Sequence, residues 1–268
     1  MSIITEESIF DFCRTYDWQI RLNDLEKILL PERWNFATPK DGVRNTQNPI
    51  LENYIKHTFK RLYQLAATEE SRYVAQAGGY ICFNTGLFTT EYERVFFVCK
   101  NEDKGDGKLW SFSGFEKESS TALFPFPSLP EKVGFFDNVE DLIYDTRLPL
   151  RVNCAHILSD PENVSRLPAE LQGDSRTSIL LEGAVAIAKK KVEANYKIAV
   201  PQYYNGHVQF LLPLSLNDIE KVDLVMAVSK GNGFYRGNTC LSLDMAYNNA
   251  RLIAKPETTW LLSATGER

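Results

Sequence analysis

The sequence predicts an α+β protein, with a mixed or mainly antiparallel central sheet flanked by helices. Helical periodicity fills much of residues 1–70, strand-like apolar runs with short connections follow over 80–115, and residues 222–253 read as strand, turn, strand and helix. Short connections between successive strands favour antiparallel pairing, because a parallel partner needs a long crossover. The 268 residues are expected to form one domain, with a candidate internal crossing at 124–133. With 44% hydrophobic and 24% charged residues, the composition is that of an ordinary globular protein.

From the N-terminus, residues 6–13 and 22–30 carry apolar side chains at helical spacing, and Pro31 stops the second helix. Residues 31–48 read as a loop anchored by Trp34 and Phe36. Asn48 followed by Pro49 is a helix start: a capping amide before a proline in the first turn. Leu51, Tyr54, Ile55, Thr58, Leu62, Leu65 and Ala66 then face inward, and Lys56, His57, Lys60 and Arg61 form a basic outer face. Beyond the Gly78-Gly79 break come strands over 80–88, 94–100 and 109–115, with 101–108 as a charged turn. Asn84-Thr85-Gly86 interrupts the first of them and marks a bulge or turn. Pro125, Pro127 and Pro130 read as a rigid exposed crossing.

Residues 139–144 are a short helix. If the stretch through Cys154 and His156 is extended, those two side chains share a strand face. Asp160-Pro161 starts a helix that ends near Gln172-Gly173. Residues 177–195 form a longer one, with Ile179, Leu180, Ala184, Ile187, Ala188 and Val192 inward. Residues 198–204 and 207–213 make a hairpin around Asn205-Gly206, and Pro201 puts the first strand at an edge.

In the last third, 222–228 is an apolar strand, Lys230-Gly231-Asn232-Gly233 a hairpin turn whose glycines and asparagine accept positive φ, and 234–243 the return strand. Asp244 is placed to cap a helix over about 245–254, ended by Pro256. Strict alternation puts Arg236, Asn238 and Ser242 on one strand face, and Tyr235, Thr239, Leu241 and Leu243 on the other. On the helix, Asp244, Asn248 and Arg251 share a stripe beside Tyr247, opposite a buried arc of Met245, Ala246, Ala250, Leu252 and Ile253. Asn249 falls inside that arc, so its amide needs a hydrogen-bond partner.

A net charge of -5 and a pI near 5.4 argue against bulk attraction to nucleic acid, although a whole-chain sum hides local basic patches. No apolar run is long enough to span a membrane, and no basic stretch precedes an apolar one at the N-terminus, so neither a span nor a secretory signal is expected. Cys13, Cys82, Cys99, Cys154 and Cys240 are odd in number, widely spaced and free of C-x-x-C pairs, which predicts a reduced, cytoplasmic protein without disulfides. His57, His156 and His207 lie far apart, so no metal site is expected; scattered carboxylates leave Mg2+ open, and no other cofactor is indicated. Gly231-Asn232-Gly233 leads into a strand and the next glycine, Gly237, comes one position late for a dinucleotide loop. P-loop, nucleophile-elbow, zincin and kinase motifs are absent from the sequence.

Arg147, Arg151, Asn153 and His156 are concentrated within residues 147–156. With Arg236, Asn248 and Arg251 they make the candidate phosphate-recognising set. Guanidinium forks match phosphate oxygens, amides hold a base or ribose, and His156 is the candidate catalytic proton donor. Cys154 beside His156 also raises a nucleophile-and-base reading, set against a buried inert thiol.

Gln202-Tyr203-Tyr204, the run 209–216, the stretch 244–253 and the closing Pro256-Glu257-Thr258-Thr259-Trp260-Leu261 resemble the C-terminal hallmark of the DUF3825 family, domains of unknown function. Asn84-Thr85-Gly86-Leu87 and residues 148–151 are similar to its middle section, so the resemblance covers most of the chain. It implies no catalytic residues. Members joined to OST-HTH (LOTUS) or cold-shock modules are RNA-associated, which implies an RNA-linked role by association. The expectation is therefore binding of RNA or a nucleotide phosphate, with phosphoester hydrolase activity as its catalytic extension. One alternative is a non-catalytic domain that docks a protein partner through aromatic and proline-rich surfaces; another is an enzyme acting on a small metabolite.

Overall fold

A computed structural model of the chain describes residues 3–36 and 47–262, with the backbone alone at Asn238. The α+β class holds. The strands are divided between two five-stranded sheets, one in each of two compact units whose boundary in the chain lies between Gly134 and Phe135.

In residues 1–134, α1 (Ile9–Phe12), β1 (Cys13–Arg14), α2 (Trp18–Ile28) and α3 (Pro49–Tyr73) precede β2 (Val74–Ala77), β3 (Tyr80–Phe88), β4 (Arg94–Asn101) and β5 (Trp110–Lys117). The order across the sheet is β1-β5-β4-β3-β2; β2 to β5 are antiparallel neighbours, and β1 joins β5 in parallel. The interruption at Asn84-Thr85-Gly86 is a bulge: the register shifts between Asn84 and Phe88, and Gly86 takes φ +75°, a conformation that suits glycine.

Alternation along these strands leaves two apolar faces to cover. On one, Phe83 and Phe97 stack with centroids 4.7 Å apart, Phe112 lies 4.5 Å from Phe97, and Phe59 and Trp18 close over the row from α3 and α2. On the other, Cys82, Phe96 and Val98 pack with Leu123 and Phe126. The proline-rich stretch expected as an exposed crossing is thus partly a cover for the sheet. Pro125 and Pro127 are exposed, as is Phe124, but Leu123, Phe126 and Pro130 are buried.

Three local features differ from expectation or were not foreseen. Asn48 precedes α3 but does not cap it with its side chain; it sits at φ +58° and exchanges amide hydrogen bonds with Asn35 and Asn23. The basic face of α3 is partly neutralised, Lys56 by Glu52 and Lys60 by Glu7. Buried Arg14 gathers the β4–β5 loop, donating to both carboxylate oxygens of Asp106, to the carbonyls of Glu102 and Lys108, and to Ser111 Oγ. In the 31–48 loop, Trp34 is buried and Phe36 half-buried, whereas 37–46 lie outside the described residues.

Residues 135–268 contain β6 (Leu150–Val152), α4 (Cys154–Ser159), α5 (Pro161–Ser165), α6 (Thr177–Ala194), β7 (Val200–Tyr204), β8 (His207–Leu214), β9 (Leu224–Lys230), β10 (Tyr235–Leu241), α7 (Leu243–Ala250) and α8 (Thr259–Leu262). The order is β6-β10-β9-β8-β7, antiparallel except for β6, which runs parallel to β10. Asn205 and Gly206 turn the β7–β8 hairpin at φ +49° and +86°, and β7, with Pro201, is an edge strand as expected.

Phe210, Leu212 and Leu214 of β8 and Leu224, Met226 and Val228 of β9 share a core with Leu181, Ala184, Ala188 and Val192 of α6. Ile179, expected inward, is 72% exposed. The buried stripe runs through Thr177, Leu181, Ala184, Ala188 and Val192, which leaves position 179 on the far side of the helix. Leu211, Val225 and Ala227 alternate to the other sheet face, where α7 packs against β7, β9 and β10. There half-buried Asn249 donates to Gln202 at 3.1 Å and buried Gln202 donates to Gln209 at 3.0 Å, so the inward amide has its partner. The α7 cap is Ser242, whose hydroxyl accepts from Met245 N–H; Asp244 lies in the first turn, because β10 ends at Leu241 and the helix starts sooner than expected. Tyr247, expected beside the polar stripe, is fully buried.

Candidate functional site

β6 and β10 pair so that Arg151 stands opposite Arg236. Tyr235 belongs to the α6-side core, and Leu150 and Val152 pack against it, so alternation turns both arginines to the other face. Both are exposed. Phe234 immediately precedes β10, and the guanidinium carbons of Arg151 and Arg236 lie 4.2 Å and 5.8 Å from its ring centroid. The ring quadrupole attracts each cation and restrains two otherwise mobile side chains.

Past β6 the chain turns into α4, and Asn153 caps it, its Oδ1 accepting from His156 N–H at 3.0 Å. That cap fixes Asn153 and His156 on the same rim and leaves the Asn153 Nδ2 group to donate elsewhere. The result is a cleft of about 520 Å³ formed by Arg151, Asn153, His156, Phe234 and Arg236 around Val152 and Gly237. No carboxylate is among these lining residues, and neither arginine has an ion-pair partner among the described residues. Like charges on adjacent strands repel, so the pair is unfavourable until an anion bridges it. By contrast, a cavity of about 390 Å³ on α6 sets Glu182 and Glu193 beside Lys189 and Lys190, and its charge cancels.

Gly237 allows β6 to approach β10 this closely. A Cβ there would lie 2.7 Å from Met226 Sδ and 2.9 Å from Val152 Cγ2. Beyond it the register shifts before Thr239, so Tyr235 and Cys240 face the same core although five positions apart, and the strict alternation expected over 234–243 breaks. Buried Asn163 of α5 then takes the place of a neighbouring strand. Its Oδ1 accepts from Cys240 N–H at 3.0 Å and from the Thr239 hydroxyl at 2.5 Å, while Arg166 donates to the Cys240 carbonyl at 2.8 Å.

The other candidates lie elsewhere. Arg147 forms a bidentate pair with Asp145, at 2.8 Å and 2.9 Å, and that hydrogen bonding holds the Asp145 carboxyl down at about 2. Asn248 is half-buried on α7 and Arg251, just after it, is buried; neither lines the cleft. Cys154 and His156 do not share a strand face, because both belong to α4. Two positions apart on a helix their side chains diverge by about 200°, and burial pushes the Cys154 thiol up, so no nucleophile–base pair forms. Cleft residues not anticipated from the sequence are Val152, Phe234 and Gly237. An aromatic two positions before Arg236 at the mouth of a strand was the available signal for Phe234.

Among the described residues no group of His, Cys, Asp and Glu is arranged to hold a metal, and no helix is long and apolar enough to cross a membrane. Fold and cleft together define an α+β protein with an unneutralised basic cleft backed by an aromatic ring. The chain belongs to the DUF3825 family, described as a domain of unknown function, whose family model matches residues 25–260. No curated protein and no solved structure matches it.

Proposed function

We propose that the chain binds the phosphate of a nucleotide or RNA in the β6–β10 cleft. The observation that carries this reading is the in-register pair of Arg151 and Arg236 over Phe234, with no carboxylate in the lining. The guanidinium forks would hold phosphate oxygens, and Asn153 Nδ2 would donate to a further oxygen. His156 stands on the rim where it could pass a proton to a leaving oxygen, the step a phosphoester hydrolase requires. The RNA side of the reading rests on the resemblance to family members joined to OST-HTH (LOTUS) or cold-shock modules. Five free, buried cysteines favour a reducing, cytoplasmic setting.

The test is a titration of wild type, Arg151→Ala and Arg236→Ala with nucleotides and single-stranded RNAs, at low and physiological salt. Each variant should keep its circular dichroism spectrum and lose about tenfold to a hundredfold in affinity, and wild-type affinity should fall as salt rises. Absence of saturable binding by the folded wild type would refute the reading. A protein-docking role is favoured by one feature in residues 1–134: Leu30 N–H bonds to Phe88 O and Thr90 N–H to Ile28 O, which gathers exposed Ile28, Phe88 and Tyr92 at one end of the sheet. That role predicts no loss of nucleic-acid binding in either variant.

A further inference from the structure

Resting on the phosphate-binding reading, we infer that the cleft recognises a terminal phosphomonoester, the dianionic end of a nucleotide or RNA strand, in preference to an internal phosphodiester. Charge is the first argument. Two guanidiniums stand side by side without a carboxylate, and a phosphomonoester brings about -1.5 to -2 charges at neutral pH, whereas a diester brings about one. Only the monoester compensates the pair. It also offers three non-ester oxygens, enough for both forks and the Asn153 Nδ2 group; a diester offers two.

The layout of the cations is the second argument. Sites that follow a nucleic-acid backbone space their positive charges along a groove. Here both cations share one locus on adjacent strands, and Arg147, the preceding arginine in the chain, is already committed to Asp145. A cleft of about 520 Å³ suits a ligand of mononucleotide size. Phe234 is the third. Arg151 lies over its ring at 4.2 Å, so that face serves the guanidinium and is not open to a base. Recognition therefore centres on the phosphate, with little dependence on the base.

The experiment compares, on wild-type protein at pH 8, a 5′-mononucleotide, its methyl phosphodiester and the unphosphorylated nucleoside. A single-stranded RNA is added with a 5′-phosphate or a 5′-hydroxyl. The monoester should bind at least about tenfold tighter than its methyl ester, the 5′-phosphorylated RNA should outbind its 5′-hydroxyl twin by a similar factor, and the four bases should differ by less than that. Equal affinity for monoester and methyl ester would overturn the inference and leave the phosphate-binding reading standing. Binding by none of the phosphate probes would remove that reading and this inference with it. A base preference larger than the monoester preference would also overturn the inference.

Discussion

Gly237→Ala should loosen the junction on which the cleft is built. Gly237 is buried, in register with Val152 on β6 and Val228 on β9. The added methyl would meet Met226 Sδ at 2.7 Å and Val152 Cγ2 at 2.9 Å, closer than real carbons approach. Met226 is fully buried, and valine has little rotamer freedom, so neither neighbour yields cheaply. Overpacking of this kind costs about 1–3 kcal/mol, and replacing glycine returns about 0.4–1 kcal/mol through the unfolded chain. The midpoints of these ranges give a net loss of about 1.3 kcal/mol, with an upper bound of about 2.6 kcal/mol. Urea unfolding followed by circular dichroism should show it as a lower midpoint. In a double-mutant cycle, Val152→Ala should relieve part of the loss, so the double variant is more stable than the sum of the singles by about 0.5–1 kcal/mol. Because Arg151 and Asn153 flank Val152, nucleotide affinity should fall too. A Gly237→Ala protein as stable as wild type would refute the reasoning, since it would show that the close approach of β6 to β10 is not held at this point.

Arg14→Met should lower the stability of residues 1–134, because it strips donors from Asp106 and from the carbonyls of Glu102 and Lys108. Asp106 is held at about 2 by the Arg14 hydrogen bond, below the ordinary aspartate value of about 3.9. A depressed carboxylate stabilises the fold above its unfolded value, and that contribution is lost as pH falls through the folded one. The gap between wild-type and Arg14→Met unfolding midpoints should therefore narrow from pH 5 towards pH 2; a gap that widens would contradict the pairing. Burial pushes Cys82 and Cys240 up to about 12, and Cys13, Cys99 and Cys154 are buried as well. A disulfide-exchange thiol reagent should thus label the native protein slowly and all five cysteines after denaturation; rapid labelling of the native protein would show an accessible thiolate.

Features written in a few consecutive residues were legible from the sequence. The Asn205-Gly206 turn, the bulge at Asn84-Thr85-Gly86, the strands over 80–115 and the edge position of Pro201 all follow from local backbone preference. Features that need two distant segments were not. Nothing near residues 150–152 announces that they pair with 235–237, and without that pairing Arg151 and Arg236 are two unrelated arginines. The caps were misread where another side chain competed: Ser242 is nearer the strand end than Asp244, and Asn35 and Asn23 draw the Asn48 amide away from the helix. Residues 154–156 could alternate as a strand, but the Asn153 cap starts a helix there. Arg147 was indistinguishable from its neighbours until Asp145 was seen to hold it.

The margins of the sheet in residues 135–268 have a consequence for how copies of this chain meet in a crowded solution. On β7 the pair Tyr204–His207 closes the hairpin, so the backbone groups at positions 201 and 203 point away from β8. Position 201 is proline, which has no N–H to offer. On the opposite margin β6 is three residues long, and past its end Asn163 and Arg166 occupy the Cys240 N–H and carbonyl that a further strand would seek. An extended segment arriving at either side therefore finds no continuous run of donors and acceptors to zip onto. Growth into fibrils by templated strand addition is thereby obstructed at both edges of this sheet.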